Sequence, residues 1–185
     1  EALDELYEKA DNGGGSTGMC IAVNGTISYS LGTAYGCRVG DGTIRTFYVL
    51  EDNGDSVSFI MNENIGSTVA WNTSGNNADG PVTALAYLES QTSNWTVDVS
   101  LPTYDQIYNV NNSGTLTNTP WLYENLGLDE TGTAIGQGYW TSTSVIDDSS
   151  TAWHVFIIGV IAKHDVTGTI YGVRPVITVS KDQLS

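Results

Sequence analysis

The chain of 185 residues carries 21 acidic against 6 basic residues, for a formal net charge of −15 at pH 7. A field of this sign repels phosphate backbones and anionic lipid headgroups, and the basic residues are too scattered to form a patch, so we exclude nucleic acid as a partner. No stretch reaches the roughly 20 apolar residues of a membrane-spanning helix, so the residues present are not expected to contact a membrane directly. The length fits one domain with a terminal appendage.

The N-terminal residues predict a short amphipathic helix. Four apolar side chains recur at the i, i+3, i+4 and i+7 spacing of one helix face. They are Leu3, Leu6, Tyr7 and Ala10. Gly13 to Gly15 are expected to end the helix, which gives a helix and glycine-rich linker over residues 1–18 and a main domain over residues 19–185. The helix either docks on the domain or is the exposed end of a longer helix whose earlier part has been removed.

Cys20 and Cys37 are the two cysteines of the chain. An even count in a domain of this composition favours a disulfide and an oxidising compartment, and the cross-link would stabilise the fold by roughly 3 kcal/mol. The alternative is a pair of reduced, buried thiols. A metal site at these residues is disfavoured, because neither cysteine has a histidine or a second thiol nearby in the sequence.

A β-hairpin is predicted next. Thr43 to Glu51 and Asp55 to Asn62 are rich in β-branched and aromatic residues, and the intervening EDNGD contains an Asn-Gly pair that tolerates the positive φ angles of a tight turn. We expect the two segments to pair as antiparallel strands. A structural calcium ion bound by the oxygens between Asp52 and Asp55 is the alternative to a simple turn.

Two helices are predicted in the middle of the chain. The first lies in ADGPVTALAYLESQ, with Asp79 as a cap and Pro81 in the first turn. Its expected apolar face consists of Val82, Leu85 and Leu88. The second begins where Thr103 and Gln106 have the spacing of a capping box, in which each side chain satisfies a backbone N–H at the helix start.

The C-terminal part predicts loops followed by short strands. Residues 111–137 are mostly Asn, Thr, Gly and Ser and are assigned to loops, apart from an aromatic plug in TPWLYENLGL. Strands are expected in GYWTSTS, in STAWHVFIIG and in TIYGVRPVITVS, which cover residues 138–144, 150–159 and 169–180. Short antiparallel strands at both ends, with two helices and long loops between them, describe an α+β domain.

Three motifs follow one another in the chain: SLPTYDQI at 100–107, GYWTSTS at 138–144, and AWHV with YGVRPVITV within 152–179. Together they resemble bacterial surface domains with a C-type-lectin-like fold, which are relatives of the formylglycine-generating enzyme. The resemblance covers residues 43–180. With the leading amphipathic helix, the chain also resembles a type IV pilin-like subunit that has lost its membrane-spanning half.

The resemblance implies roles for several residues. Trp140 and Trp153 would belong to the core, and Arg174 would be partly buried and bonded to local carbonyls or a carboxylate. The segment from His154 to Ile170 would be presented outward, with Val155 turned inward. Several proteins of this fold are variable proteins of diversity-generating retroelements, and a run without a clean period between motif-like flanks is compatible with such diversification.

The residues do not support an enzyme. An activity like that of the formylglycine-generating enzyme would need a reactive cysteine pair late in the domain, whereas both cysteines precede residue 40. His154 and His164 have acidic neighbours in the sequence, but no spacing typical of a metal or acid–base site. The calcium-dependent sugar motifs of true C-type lectins are absent as well. We therefore predict no catalytic residue, no metal ligand and no cofactor other than the calcium alternative.

The sequence thus predicts an extracellular ligand-binding protein, an adhesin displayed on a cell surface or a pilus, which recognises a protein or a glycan through residues 154–170. The expected ligand-binding residues are His154, Phe156, Ile157, Ile158, Val160, Ala162, Lys163, His164, Asp165 and Ile170. Two alternatives stay open. The apolar run could be a buried core strand, or the chain could be a structural pilin-like subunit that packs against other pilin subunits and binds no soluble ligand.

Overall fold

The computed structural model describes residues 3–12 and 18–185, with the side chains of residues 10–12 left out. The helices are α1 (Leu3–Asn12), α2 (Val82–Gln91) and α3 (Tyr104–Asn111). The strands are β1 (Cys20–Ala22), β2 (Ala34–Arg38), β3 (Ile44–Asp52), β4 (Ser56–Met61), β5 (Val99–Ser100), β6 (Gly138–Ser144), β7 (Thr151–Phe156), β8 (Val160–Asp165) and β9 (Val176–Ser180). The α+β class is confirmed at the level of helices combined with antiparallel strands. In the described residues, no helix has the length and hydropathy to cross a membrane.

The chain divides into two compact units. The first consists of Glu1–Met61, Asn94–Asp98 and Ile177–Ser185, and the second of Asn62–Ser93 and Val99–Val176. The first unit holds α1 and five strands that are neighbours in the order β1-β2-β3-β4-β9, and the second holds α2, α3, β5 and the sheet β6-β7-β8. The single domain over residues 19–185 stays a prediction.

The predicted hairpin forms the centre of the first unit. β3 and β4 pair antiparallel, with Tyr48 opposite Ile60, and their ends lie within one residue of the predicted segments. Gly54 in the connecting turn has a φ of 88°, and its N–H donates to Asp52 Oδ1 over 3.0 Å. The Asn-Gly signal therefore marks the turn correctly.

The predicted disulfide joins two paired strands of the first unit. Cys20 on β1 lies directly opposite Cys37 on β2, their sulfurs are bonded, and both residues are fully buried. The cross-link confirms the pairing read from the sequence. It is typical of proteins that fold in an oxidising compartment.

Helix α1 contacts the same unit through one aromatic side chain. Tyr7 is 1% exposed, and its hydroxyl lies 2.6 Å from the carbonyl oxygen of Met19 and 2.8 Å from that of Gly36. The Arg38 guanidinium covers the ring at 3.8 Å. The amphipathic helix is confirmed and is docked by Tyr7, while Leu3 and Leu6 of the stripe are half-buried. The Ala10 side chain and the predicted helix end at Gly13 to Gly15 lie outside the described residues.

Helix α2 of the second unit differs in detail from the prediction. Asp79 is not its cap but belongs to a separate turn, Asn77–Asp79, which Asn76 caps. The helix begins after Pro81 and buries Ala84 and Leu88, whereas Val82 is 51% exposed. Including Val82 in the apolar face was therefore wrong, because the inward face is centred between residues 84 and 88, one helical turn apart.

Helix α3 begins with the predicted capping box. The N–H of Gln106 donates to Thr103 Oγ1 and the N–H of Thr103 donates to Gln106 Oε1, each over 3.0 Å. Ile107 is its buried residue. The capping box fixes the first turn of α3. The residues that set the direction of this helix can therefore be recognised in the sequence.

Candidate functional site

The apolar run that the sequence singles out forms a β-hairpin in the second unit. β7 and β8 pair from Thr151 opposite Asp165 to Phe156 opposite Val160. Between them lie Ile157, Ile158 and Gly159, a three-residue turn in which the Gly159 N–H donates to the Phe156 carbonyl over 2.9 Å. Gly159 has a φ of 81°, the left-handed conformation that such a turn needs at its last position. The run lacks a clean period because a turn interrupts it, and β8 was missed for that reason.

One face of the hairpin belongs to the core. Residues directly opposite each other on antiparallel strands point to the same face, so His154 shares its face with Ala162, and Ala152 with His164. Ala152 is fully buried and Phe156 is half-buried against the same apolar cluster as Trp140 and Tyr171. Val155, on the opposite face, is also fully buried, as predicted.

His154 is a core residue. It is 2% exposed, and its ring centre lies 3.9 Å from that of Tyr171, 6.0 Å from that of Trp140 and 5.9 Å from that of His164. Its Nδ1 has no hydrogen-bond partner in the described part of the chain. Burial, reinforced by the neighbouring His164, lowers the pKa of His154 to about 4, so the ring is neutral at pH 7. The expectation that His154 is presented outward is therefore wrong.

The hairpin tip carries the exposed apolar surface of this region. Ile157 is 37% exposed, Ile158 62% and Ile170 38%. Gln137 connects them, because its N–H donates to the Ile170 carbonyl over 2.8 Å and its carbonyl accepts from the Ile157 N–H over 2.9 Å. We call Ile157, Ile158 and Ile170 the isoleucine patch. Sequence reasoning found its three members but not Gln137, which has no motif of its own.

The tip is held in place from two sides. Gly159 lies so close to the Tyr123 ring that a Cβ atom there would meet the ring at 3.0 Å. The Gly159 carbonyl accepts from the Leu116 N–H over 2.7 Å, and the Ile161 N–H donates to the Gly114 carbonyl over 2.8 Å. These contacts fix the turn, so the patch is preorganised.

Arg174 secures the segment that carries Tyr123. Its fully buried guanidinium donates to Asn64 Oδ1 over 3.2 Å, to the Leu122 carbonyl over 3.4 Å and to the Asn125 carbonyl. Tyr139 stacks against it at 4.4 Å, and burial raises the pKa of that phenol to about 12. The predicted bonds to local carbonyls are confirmed, but Arg174 is fully rather than partly buried.

The remaining predicted binding residues divide by exposure. Lys163 and Asp165 are exposed, whereas four are half-buried: Phe156, Val160, Ala162 and His164. The Asp165 carboxylate accepts from Thr167 Oγ1 over 2.6 Å and from the Thr167 N–H over 2.8 Å, and these bonds lower its pKa from the ordinary value of an aspartate. Of the two tryptophans expected in the core, Trp140 is fully buried, but Trp153 is only half-buried.

Nothing in the described residues groups three His, Cys, Asp or Glu side chains closely enough to share a metal ion. At the turn considered for calcium, Asp52 Oδ1 lies 2.8 Å from the Lys181 ammonium and also accepts from the Gly54 N–H. Both contacts lower the pKa of Asp52. This carboxylate therefore has a structural role in the turn.

No protein-family model matches this sequence, and no curated protein matches it either. The C-type-lectin-like and pilin-like resemblances remain expectations from the motifs.

Proposed function

We propose that this chain is an extracellular ligand-binding protein with a C-type-lectin-like fold, an adhesin that recognises a protein or a glycan through the isoleucine patch, with Lys163 and Asp165 beside it. The observation that carries the proposal is the exposure of Ile157, Ile158 and Ile170, on backbone segments that are joined by the hydrogen bonds of Gln137. Contiguous exposed apolar surface on a soluble domain commonly marks an interaction site.

The energetics of the patch suit recognition. Burying apolar surface against a partner contributes about 25 cal/mol per square ångström, so a few isoleucine side chains can anchor an interface. The tip is already ordered by Tyr123, Leu116 and Gly114, which lowers the entropy that binding must overcome. Exposed Lys163 and Asp165 would add directional polar contacts at the rim.

Part of what the lectin-like resemblance implies supports the proposed fold. Trp140 is fully buried, Arg174 bonds local carbonyls, and the segment between the AW and VRPV motifs carries the exposed tip, whereas Trp153 is only half-buried and His154 is buried. The disulfide between Cys20 and Cys37 supports a location outside a reducing compartment. Display on a cell surface or a pilus belongs to the proposal.

The test compares the pair of isoleucines at the hairpin tip with a single exposed isoleucine elsewhere. Wild type would be screened against immobilised glycans and extracellular protein domains, and each ligand found would be measured with Ile157→Ser/Ile158→Ser and with Ile146→Ser. Ile146 is 95% exposed in another loop and is the matched control. We expect at least a tenfold loss of affinity for the tip variant alone. Equal losses in both variants, or none in either, would refute the patch as the binding surface.

The alternative is a structural pilin-like subunit without a soluble ligand. The observation that favours it is the partial exposure of Leu3 and Leu6, because α1 buries only Tyr7 of these three apolar residues completely and leaves part of the stripe open to a neighbouring subunit. In assembly assays, Leu6→Ser should then block incorporation of the subunit, while circular dichroism shows that the purified chain still folds. Normal assembly of this variant would remove the alternative.

A further inference from the structure

The sequence contains four Asn-x-Ser/Thr triplets, and the structure distinguishes one of them from the other three. They begin at Asn24, Asn72, Asn94 and Asn111. Such a triplet is the acceptor for an N-linked oligosaccharide, which is joined to the side-chain nitrogen of the asparagine in a surface loop of a secreted protein. The exposure and the hydrogen bonds of each triplet therefore decide where the folded chain can be modified.

Two of the triplets have an asparagine whose side-chain nitrogen is used by the fold. Asn72 is 2% exposed, and its Nδ2 donates to the Gly80 carbonyl over 3.0 Å. Asn111 is half-buried, and its Nδ2 donates to Thr119 Oγ1 over 2.9 Å. A bulky glycan on either nitrogen would crowd the group that accepts this hydrogen bond. The folded chain therefore disfavours modification at both positions.

The triplet at Asn94 is held by its third residue. Asn94 and Thr96 are exposed, but the Thr96 hydroxyl donates to the Val39 carbonyl over 3.3 Å, and the Thr96 N–H donates to the same oxygen over 2.7 Å. A Cβ atom at Gly40 would meet Thr96 Oγ1 at 2.5 Å, so this side chain is packed against the backbone. Because the acceptor sequence requires the hydroxyl of its third residue, this triplet is poorly presented.

The triplet at Asn24 is presented to the solvent. Asn24, Gly25 and Thr26 are all exposed, which holds for none of the other three triplets. They lie in the β1–β2 loop, residues 23–33, which connects those two strands. The Thr26 N–H donates to Asn24 Oδ1 over 3.0 Å, so this bond uses the oxygen of the side-chain amide and not its nitrogen. Asn24 is therefore the acceptor that the fold leaves accessible.

The same loop carries exposed apolar side chains. Val23 is 37% exposed, Ile27 48% and Leu31 45%. The Tyr35 hydroxyl bonds to both the N–H and the carbonyl of Ser28, each over 3.0 Å, and so fixes the loop in this arrangement. Exposed apolar side chains that are grouped in one loop favour association unless something covers them. A hydrophilic glycan on the neighbouring asparagine would provide that cover.

We propose that Asn24 is the acceptor of an N-linked oligosaccharide, which covers the apolar side chains of the β1–β2 loop. The glycan is a covalent modification of the chain and does not depend on the isoleucine patch. The disulfide between Cys20 and Cys37, which joins the two strands at the base of this loop, indicates the oxidising compartment in which secreted proteins are modified.

The transfer needs a lipid-linked oligosaccharyl diphosphate as the donor. Asn24 Nδ2 attacks the anomeric carbon of the first sugar, and a C–N bond forms. The bond between that carbon and the diphosphate oxygen breaks, and its electron pair leaves with the lipid diphosphate. One proton of Nδ2 passes to a base of the transferase.

The first test is whether the folded chain is modified at Asn24. The purified chain would be incubated with its donor and a single-subunit oligosaccharyltransferase that requires only Asn-x-Ser/Thr, and peptide masses would locate the glycan. Synthetic peptides with each triplet show which sequences this enzyme accepts without a fold. We expect a glycan on Asn24 of the folded chain and none on Asn72 or Asn111. An unmodified Asn24 whose peptide is modified, or a glycan on Asn72 in the folded chain, would overturn the proposal.

The chain isolated from the cells that produce it provides the second measurement. Its peptide masses should show the glycan on Asn24, and an unmodified Asn24 in this material would refute the proposal.

Two substitutions of one exposed residue are matched variants. Thr26→Ser keeps the hydroxyl of the triplet and should still be modified, whereas Thr26→Ala should abolish the transfer, and both should melt at nearly the same temperature. Equal modification of the two would show that the triplet does not direct the glycan. A neutral apolar dye should bind the glycosylated chain more weakly than it binds Thr26→Ala, and equal dye binding would show that the glycan does not cover the loop.

Discussion

The β7–β8 hairpin inverts the usual relation between hydropathy and burial at two places, the inward face of β7 around His154, which we call the base, and the tip. At the base, His154 is 2% exposed among Trp140, Tyr171 and His164, whereas at the tip Ile158 is 62% exposed. The pleat decides this, since His154 lies on the face that meets the core and Ile158 lies in the turn beyond the last strand pair. An uncharged imidazole acts at the base as a small aromatic ring.

The base and the tip also differ in whether they contribute to the stability of the fold or to binding. The base contributes packing and carries a polar atom without a partner in the described residues, while the tip contributes little packing and much exposed surface. Changes at the base should therefore alter the free energy of unfolding, and changes at the tip should alter binding.

The largest effect is expected from acidification of the base. The pKa of His154 is about 4 in the folded chain and near 6.5 when unfolded, so the unfolded state binds the proton more readily. The stability that depends on a neutral His154 is fully present above pH 6.5. It is lost as the pH falls towards 4, where the free energy of unfolding is lower by at most about 3 kcal/mol. Urea unfolding of wild type and His154→Phe between pH 7 and pH 4 measures this loss.

The variant keeps an aromatic ring beside Tyr171 but cannot be protonated, so its unfolding free energy should depend less on pH in this window. Hydrogen bonds from Thr131 and Thr167 lower the pKa values of Asp129 and Asp165, so these carboxylates also lose stabilisation as the pH approaches 4. Both proteins share that loss, so the difference between them reports His154. Equal pH dependence in both proteins would show that His154 is not responsible.

A smaller effect is expected where the tip is supported. Gly159→Ala combines a positive φ of 81° with a contact of 3.0 Å to the Tyr123 ring, whereas Gly132→Ala has a φ of 79° and nothing within 4 Å. The strain of a left-handed non-glycine residue costs about 1–3 kcal/mol and applies to both. Chemical denaturation should therefore show the greater loss for Gly159→Ala, and the difference reports the contact with Tyr123. Equal losses would mean that the Tyr123 ring moves aside without cost.

Local signals in the sequence predicted much of the fold. The capping box at Thr103, the Asn-Gly turn at Gly54 and the pairing of Cys20 with Cys37 each depend on residues close together in the chain or on a simple count. The α+β class followed from the same elements. These features are visible because their physical cause is local.

The site was predicted only in part, for reasons that are not local. The three-residue turn ending in Gly159 could have been recognised from Ile-Ile-Gly between apolar segments, which would have revealed β8. The burial of His154 and the partial exposure of Trp153 could not have been recognised from the sequence. They depend on which face of the hairpin meets Trp140 and Tyr171. Gln137 bonds to the patch through backbone atoms, so the type of its side chain does not indicate this role.

The smallest effect on stability is expected at the tip. Ile158→Ser should change the free energy of unfolding by no more than about 0.5 kcal/mol, because substitutions at exposed positions away from caps and buried contacts rarely do more. Phe156→Ser, two residues earlier, should cost clearly more, since Phe156 is half-buried and packs against the core cluster. Urea denaturation of the two variants measures both. Comparable losses would mean that Ile158 is part of the core, and the isoleucine patch would then no longer qualify as a binding surface.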